Sequence, residues 1–306
     1  MKTMRVVTIV CWVITAIALA GIAVWFLTGT IFGFTSNRWE GWSFMRNTGR
    51  FESLTGPYNV VGSERVDAAG INNIRIEWVA GEITVVPHDG SEIQVTESAQ
   101  RELRDIEKFR VTTSGDTLTI NFTGPNISGK TPQKRLEVLV PRELSENMQM
   151  LSIDTVSGGA NVTDITASVL KVESISGDLD LSGVFGDAKI KTVSGRLTLK
   201  NSAQNAVVDT DSVSGRTELS GYFDKAIINS VSGSISFTSA TVPTSLKVDS
   251  ISGGITIALP AGSEVSVNHS SVSGRLSSDI PVTMEGSGAV IRISTVSGST
   301  KITTLE

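Results

Sequence analysis

The 306-residue chain carries 26 Lys+Arg against 31 Asp+Glu, 29 Gly, 8 Pro, two His and one Cys, for a net charge of −5 and a pI near 5.3. That balance excludes a nucleic-acid binder, which needs clustered Lys and Arg to displace counterions from phosphate; the single Cys11 excludes an internal disulfide and a Cys-based zinc site, and two His disfavour a His-rich one. With 40% hydrophobic and 19% charged residues the chain is too apolar for general disorder, and its length suits one or two domains of about 150 residues.

Between Arg5 and Arg38 lie 32 residues, Val6 to Asn37, without a formal charge. The stretch 6–34 exceeds the roughly 20 apolar residues that span a bilayer as a helix. Ala18-Leu19-Ala20 has the small-x-small form of a signal-peptidase site, but apolarity continues from Gly21 through Leu27, which favours an uncleaved anchor. Lys2 and Arg5 precede the span and Arg38, Arg46 and Arg50 follow it, so positive charge nearly ties. The long downstream segment then favours a cytoplasmic N-terminus and a single-pass protein of the cell membrane with its C-terminal domain extracytoplasmic. Trp39, Trp42 and Phe44 suit an interfacial belt or an ordinary linker. Residues 51–306 carry 21 basic and 30 acidic side chains, net −9, so adhesion to anionic lipid by charge alone is not expected.

Residues 1–50 thus read as anchor and linker, 51–150 as an N-terminal β region, and 151–306 as a repeat. In the β region, Ile74, Ile76 and Trp78 followed by Val79-Ala80-Gly81-Glu82-Ile83 form a degenerate copy of the repeat unit. Gln94 to Glu97, Phe109 to Thr113, Leu118 to Phe122 and Leu136 to Val140 read as strands, with Ser114-Gly115-Asp116 as a hairpin turn. Ala99 to Lys108 is expected as a short helix and Gly124 to Lys134 as a loop. Such an atypical terminal unit caps the core of a repeat protein.

The repeat is the tetrad Ser/Thr-Val/Ile-Ser-Gly, whose second Ser falls at Ser157, Ser176, Ser194, Ser214, Ser232, Ser252, Ser273 and Ser297, at intervals of 19, 18, 20, 18, 20, 21 and 24. Six residues before that Ser stand Leu151, Leu170, Ala188, Val208, Ala226, Leu246, Val267 and Ile291. Four before stand Ile153, Val172, Ile190, Thr210, Ile228, Val248, His269 and Ile293. This period-2 alternation means strand. Leu179/Leu181, Leu197/Leu199, Ile235/Phe237 and Ile255/Ile257 begin a second strand after a corner at the Gly. A 20-residue unit cannot close its own core, but stacked units bury a continuous one. The expected fold is all-β: a parallel β-solenoid, right-handed by the crossover rule, of eight coils in a rod of roughly 38 Å at 4.8 Å per coil. The apolar Val/Ile before each second Ser is expected to face inward, which sends the second hydroxyl outward; the alternative continues the inward parity and buries a hydroxyl ladder. Outward hydroxyl columns resemble those of ice-binding solenoids, although Ser and Thr that satisfy backbone at a corner explain them more simply.

These Ser-Val-Ser-Gly and Ser-Ile-Ser-Gly units, the opening strand Ile74 to Pro87 and the N-terminal anchor resemble the bacterial "putative adhesin" β-strand-repeat family of unknown function, which includes membrane-associated proteins of Lia-type envelope-stress systems. The resemblance implies a β-helical rod displayed at the envelope. It brings no catalytic residues with it.

Candidate chemistry is sparse. Three residues before the second Ser stand Asp154, Glu173, Lys191, Asp211, Asn229 and Asp249; Asp154 and Glu173 on adjacent coils would approach the carboxylate separation of retaining glycosidases, about 5 Å. Lys191 interrupts the acids and no aromatic sugar platform recurs, so a solvated corner is the better reading. Asp178 with Asp180, or Asp209 with Asp211, offers too few oxygens for calcium. His88 sits in a turn and His269 in an apolar column. Arg196, Arg216 and Arg275, two residues after the second Ser, would meet anionic wall polymer, but Ser234 and Gly254 break the stripe. The reading is a non-enzymatic cell-surface binding or sensory module without catalytic residues, cofactor or metal, partnered by the membrane through residues 6–34 and by cell-wall polymer or an envelope membrane protein. The alternatives are a polysaccharide-active β-helix enzyme and a self-assembling structural solenoid.

Overall fold

The computed structural model describes residues 54–123, 132–283 and 289–305. The predicted membrane span lies outside them, and among the described residues no helix is long and apolar enough to cross a membrane.

The chain enters through β1 (Asn59–Asp67), β2 (Asn73–Ala80), β3 (Ile83–His88), β4 (Glu92–Ala99), β5 (Arg110–Ser114), β6 (Thr117–Asn121) and β7 (Lys134–Pro141). One helical turn, Arg142–Ser145, leads to β8 (Met148–Ser157) and to four long bent strands: β9 (Ala160–Ser176), β10 (Leu179–Ser194), β11 (Leu197–Ser214) and β12 (Thr217–Ser232). Shorter strands follow: β13 (Ile235–Ser239), β14 (Ser245–Ser252), β15 (Ile255–Leu259), β16 (Val265–Ser273), β17 (Leu276–Ser278), β18 (Val282–Thr283), β19 (Ala289–Ser297) and β20 (Thr300–Thr304). All belong to one 20-stranded sheet.

That sheet is wound into two facing walls. In one, β6, β2, β8, the C-terminal halves of β9 to β12, β14, β19 and β16 pair in parallel, as in Leu151↔Leu170 and Ile190↔Thr210. In the other, β7, β3, the N-terminal halves of β9 to β12, β13, β15, β20 and β17 do the same. Antiparallel strands close the N-terminal end: β5 on β6, and β1 on β4 on β7. Inward residues of both walls form one core, in which the columns six and four residues before the second Ser are at most 1% exposed apart from His269. Phe185, Phe223 and Phe237 fill it at mid-rod.

The corner between the walls is held by glycine. The Cβ of an L-residue at Gly158 would overlap the carbonyl of Gly81 one level away, and the same relation links Gly177 to Gly158, Gly195 to Gly177, Gly215 to Gly195, Gly233 to Gly215 and Gly253 to Gly233. Gly215 and Gly233 also take φ of +124° and +142°, which only glycine adopts at low cost.

Spatial order departs from chain order at both ends. β19 pairs with β14 on one side and β16 on the other, and β20 lies between β15 and β17. The levels therefore run Ser232, Ser252, Ser297, Ser273, and the last motif is inserted between the two before it. At the other end β2 lies between β6 and β8, so the segment after β2 in sequence packs outside it. The two longest intervals, 21 and 24 residues, provide the extra chain needed to skip a level and return. Ala99 to Lys108 is not a helix; it holds one 3-10 turn, Asp105–Glu107, because the Glu107 carboxylate folds back onto the Arg104 amide and the Arg101 and Arg104 guanidinium groups.

Gly215→Ala is expected to cost more than about 3 kcal/mol or abolish cooperative unfolding, since backbone rather than a flexible side chain must yield. Gly254→Ala, with nothing within 4 Å of its Cβ position, stays within about 0.5 kcal/mol. Thermal melts followed by circular dichroism separate the two.

Candidate functional site

The Ser/Thr motif points two ways. The first hydroxyl residue continues the inward parity: Thr155, Ser174, Thr192, Ser212, Ser230, Ser250 and Thr295 are 2–7% exposed. Val156, Ile175, Val193, Val213, Val231, Ile251 and Val296 lie half-buried on the outside. The expectation that this Val/Ile column faces inward is thus corrected. The turn comes after the second Ser, at the Gly whose backbone permits it, so the strand keeps its alternation through the Val/Ile of the tetrad. The second Ser sits at the corner, where Ser176, Ser194 and Ser214 donate to the carbonyls of Val156, Ile175 and Val193 one level away, each at 3.3 Å. Ser157 is half-buried, and Ser232, Ser252, Ser273 and Ser297 are exposed. Inside, the Thr192 and Ser250 hydroxyls donate to the carbonyls of Ser194 and Ser252.

The carboxylate column forms on the outer face of the first wall. Register places Glu77 beside Asp154, Asp154 beside Glu173, then Lys191, Asp211, Asn229 and Asp249. Sequence comparison missed Glu77, although it stands three residues before Ala80 in the degenerate first copy, the position its partners occupy. Arg75 bridges Glu77 at 3.0 Å and Asp154 at 3.5 Å, and Asn121 donates to Glu77 at 3.0 Å. Burial, then the neighbouring Glu173, pushes the Asp154 carboxyl up to about 6 despite Arg75. A carboxyl so placed can hold a proton near neutrality. Farther along, Asn229 donates to Asp211 at 2.9 Å and Lys247 pairs with Asp249 at 2.8 Å, so this half of the column is internally satisfied.

The arginine column is interrupted more than its spacing suggested. Arg196 and Arg216 stand on adjacent levels, but Ser234, Gly254 and Ser299 separate them from Arg275 on the last level. Arg216 pairs with Glu218 at 3.2 Å. The Asp178 carboxylate accepts the Arg196 amide at 2.8 Å, and among the described residues no group of three or more His, Cys, Asp or Glu could hold a metal. The His88 ring accepts the Gly90 amide through Nδ1 and bonds the Glu92 carbonyl through Nε2, which fixes its turn. An open depression of about 620 Å³ is lined by Val242, Thr244, Gly262, Ser263, Glu264 and Ala289.

At the N-terminal end the core is sealed by a polar group. Lys134 and Glu97 are both 0% exposed and pair at 2.6 Å; the ammonium also donates to the carbonyls of Glu107 at 2.6 Å and Thr123 at 2.9 Å and lies 3.9 Å from the Phe122 ring centre. Burial lowers the Lys134 pKa, opposed by Glu97. Glu107, beneath Arg101 and Arg104, is held down to about 2 by those two hydrogen-bonded guanidinium groups. The Lys134 backbone occupies the level beyond Gly81 in the glycine column, and its carbonyl accepts the Trp78 indole at 3.0 Å.

Stacked parallel levels, glycine corners and antiparallel end strands define an all-β repeat protein. The chain belongs to the Toastrack DUF4097 family, whose model matches residues 71–303. No curated protein matches it. Among solved structures, a "putative adhesin" from Bacteroides fragilis NCTC 9343 is 12% identical with a TM-score of 0.50, covering 83% of this chain and all of that one. A "putative adhesin" from Parabacteroides merdae ATCC 43184 is 11% identical with a TM-score of 0.48, covering 83% of this chain and 99% of that one. A "putative lipid binding protein" from Parabacteroides distasonis ATCC 8503 is 15% identical with a TM-score of 0.48, covering 80% and 96%.

Two predictions follow from the charges. The folded Asp154 binds its proton more tightly than the unfolded one, so its ionisation opposes folding, and that penalty grows as pH rises from about 4 through 6. Asp154→Asn therefore raises stability by about 1–3 kcal/mol at pH 8 and by little at pH 4, read as the difference in Tm between the two pH values. Lys134→Ala strands the Glu97 carboxylate and costs about 3–5 kcal/mol, whereas Lys134→Met combined with Glu97→Leu costs far less, read by denaturant titration.

Proposed function

We propose that this chain is a non-enzymatic, membrane-anchored cell-surface module, with residues 6–34 spanning the cell membrane, residues 51–150 capping a right-handed rod, and the rod held outside the cell to bind or sense an envelope component. The observation that carries the reading is how the repeat uses its polar groups. Glycine and the second Ser at Ser176, Ser194 and Ser214 are engaged in stacking one level on the next, and the first hydroxyl residue is buried inside. What remains for a ligand is the outward columns, repeated once per level along a stiff surface, an arrangement suited to an extended polymer or a partner surface rather than to enclosing a small substrate. Names of structural relatives as adhesins agree with a surface role. The net charge of −9 on residues 51–306 favours a wall component or envelope protein over direct attraction to anionic lipid.

One observation favours a second reading, a polysaccharide-active rod. Asp154, held protonated to about 6, stands in register with Glu173, the combination of a proton donor and a neighbouring carboxylate that glycoside cleavage uses.

Purified residues 51–306 are expected to pellet saturably with isolated cell walls and not with anionic vesicles, and Asp154→Asn and Glu173→Gln are expected to pellet equally well. Pelleting with neither material sinks the surface-binding reading. Release of soluble sugar that both substitutions abolish establishes the enzymatic one instead.

A further inference from the structure

The last level of the rod lacks the neighbour that every other level has. β16 is the outermost long strand of its wall at the C-terminal end, and among the described residues its free side is paired only at Val265 and Ser266, by β18. On the other side the Gly298 amide donates to the Ser273 carbonyl. The Val265 carbonyl accepts the Thr283 hydroxyl from the free side, whereas Val290 of β19 bonds toward β14; backbone groups alternate sides along a parallel ladder, so the N–H and C=O of Val267 and His269 face the open side. Exposure follows the same boundary. Val272 is 52% exposed, whereas its counterparts in the seven earlier motif levels are half-buried. Ile293 and Thr295 on the penultimate level are buried, but His269 and Ser271, in the same two columns, are only half-buried, and His269 Nε2 has no hydrogen-bond partner.

Natural sheets protect such edges with charge, bulges or covering chain. The opposite end does so: β1 carries Glu64, Arg65 and Asp67 and a register shift between Val60 and Gly62. β16 runs from Val265 to Ser273 without one formal charge, and its register with β19 is unbroken from Val265 to Ser271. The fold also accepts a strand of this type out of sequence order, since β19 lies between β14 and β16.

We propose that the open side of β16 is a strand-addition site for a partner protein, which contributes an extended segment with the hydroxyl, β-branched, Ser, Gly pattern of the repeat itself. The backbone groups of Val267 and His269 set its hydrogen bonds, as in β-augmentation. The corner sets its sequence. Every level of the column places a glycine against the carbonyl of the level before, as Gly274 does against Gly298, so the incoming segment needs glycine over Gly274. A β-branched residue then covers Val272, and a small hydroxyl residue reaches Ser271. β1, which follows residues 1–53 in the chain, lies at the other end, so the site is at the tip far from the proposed anchor. The inference rests on the surface-module reading only for access to that tip.

The test is fluorescence anisotropy of a labelled peptide reproducing residues 289–299, titrated with the full-length protein in detergent micelles. Saturable binding with Kd below about 1 mM is expected, weakened about tenfold or more by His269→Pro, which removes one open N–H without touching the β19 ladder, and by Val272→Lys, which charges the exposed edge. A peptide with Gly298→Val should also bind about tenfold more weakly. Absent binding, equal binding by both protein variants, or equal binding of the valine peptide overturns the proposal. Sedimentation of the same samples without peptide checks the other occupant: self-association lost in both variants makes the partner a second copy of this chain and likewise overturns it. Wall pelleting of Val272→Lys, unchanged in either case, keeps the surface-binding reading separate.

Discussion

The structure depends on a steric condition at one corner. Each level's glycine approaches the carbonyl of the residue one level before so closely that no Cβ fits, from Gly81 on Lys134 through Gly298 on Gly253 and Gly274 on Gly298. Parallel strands stack about 4.8 Å apart, and a turn with a side chain at that point would force successive corners out of line. Once the corners stack, both walls are in register for their whole length, and inward side chains meet across one core. The positive φ at most of these glycines turns the chain there, after the second Ser, and so decides which residues of the motif face in and which face out.

A rod built by stacking has two ends at which a hydrophobic core would meet water, and this chain treats them differently. The N-terminal end receives β1, β4 and the β5–β6 hairpin, and beneath them the buried pair of Lys134 and Glu97 spans the gap between core and cap. Such a pair contributes little net stability by itself because both ions lose water, but its geometry is specific: the ammonium is bonded to the carbonyls of Glu107 and Thr123, which ties the cap to the first level. At the C-terminal end β16 carries no formal charge. That end inserts the last motif between its two predecessors, so that β19 and β20 are bonded on both sides and the exposed level is β16 and β17.

Outward columns inherit the spacing of the stack, which is why isolated charges become ladders. Glu77, Asp154 and Glu173 come from three separate strands yet share one column, and Asp154 is loaded by both neighbours as well as by burial. Beyond Lys191 the column softens to Asn229 and a paired Asp249. The proton affinity of Asp154 is therefore a property of its level in the rod, where burial, Glu173 and Glu77 act together.

Much of this was legible in the chain. Alternation before each second Ser named the inward columns, the 20-residue period named stacked coils, and an invariant Gly named the corner, because each is a local consequence of strand periodicity or backbone sterics. The membrane span and orientation are likewise sequence arguments and lie outside the described residues. Where the corner falls within the tetrad was not legible: an apolar Val or Ile suggests an inward position, yet only the glycine's place in the stack shows that the first hydroxyl residue, ahead of that Val or Ile, is the buried one. Nor did the period show the order of levels, since β19 carries the same motif as β14 and β16 yet lies between them. The sequence by itself determined the repeating unit and its inward face, because those depend on neighbours a few residues apart. Tertiary structure decided the order of the last levels, the Glu77–Asp154–Glu173 column and the Lys134–Glu97 seal, because each joins residues whose contact depends on which level stacks on which.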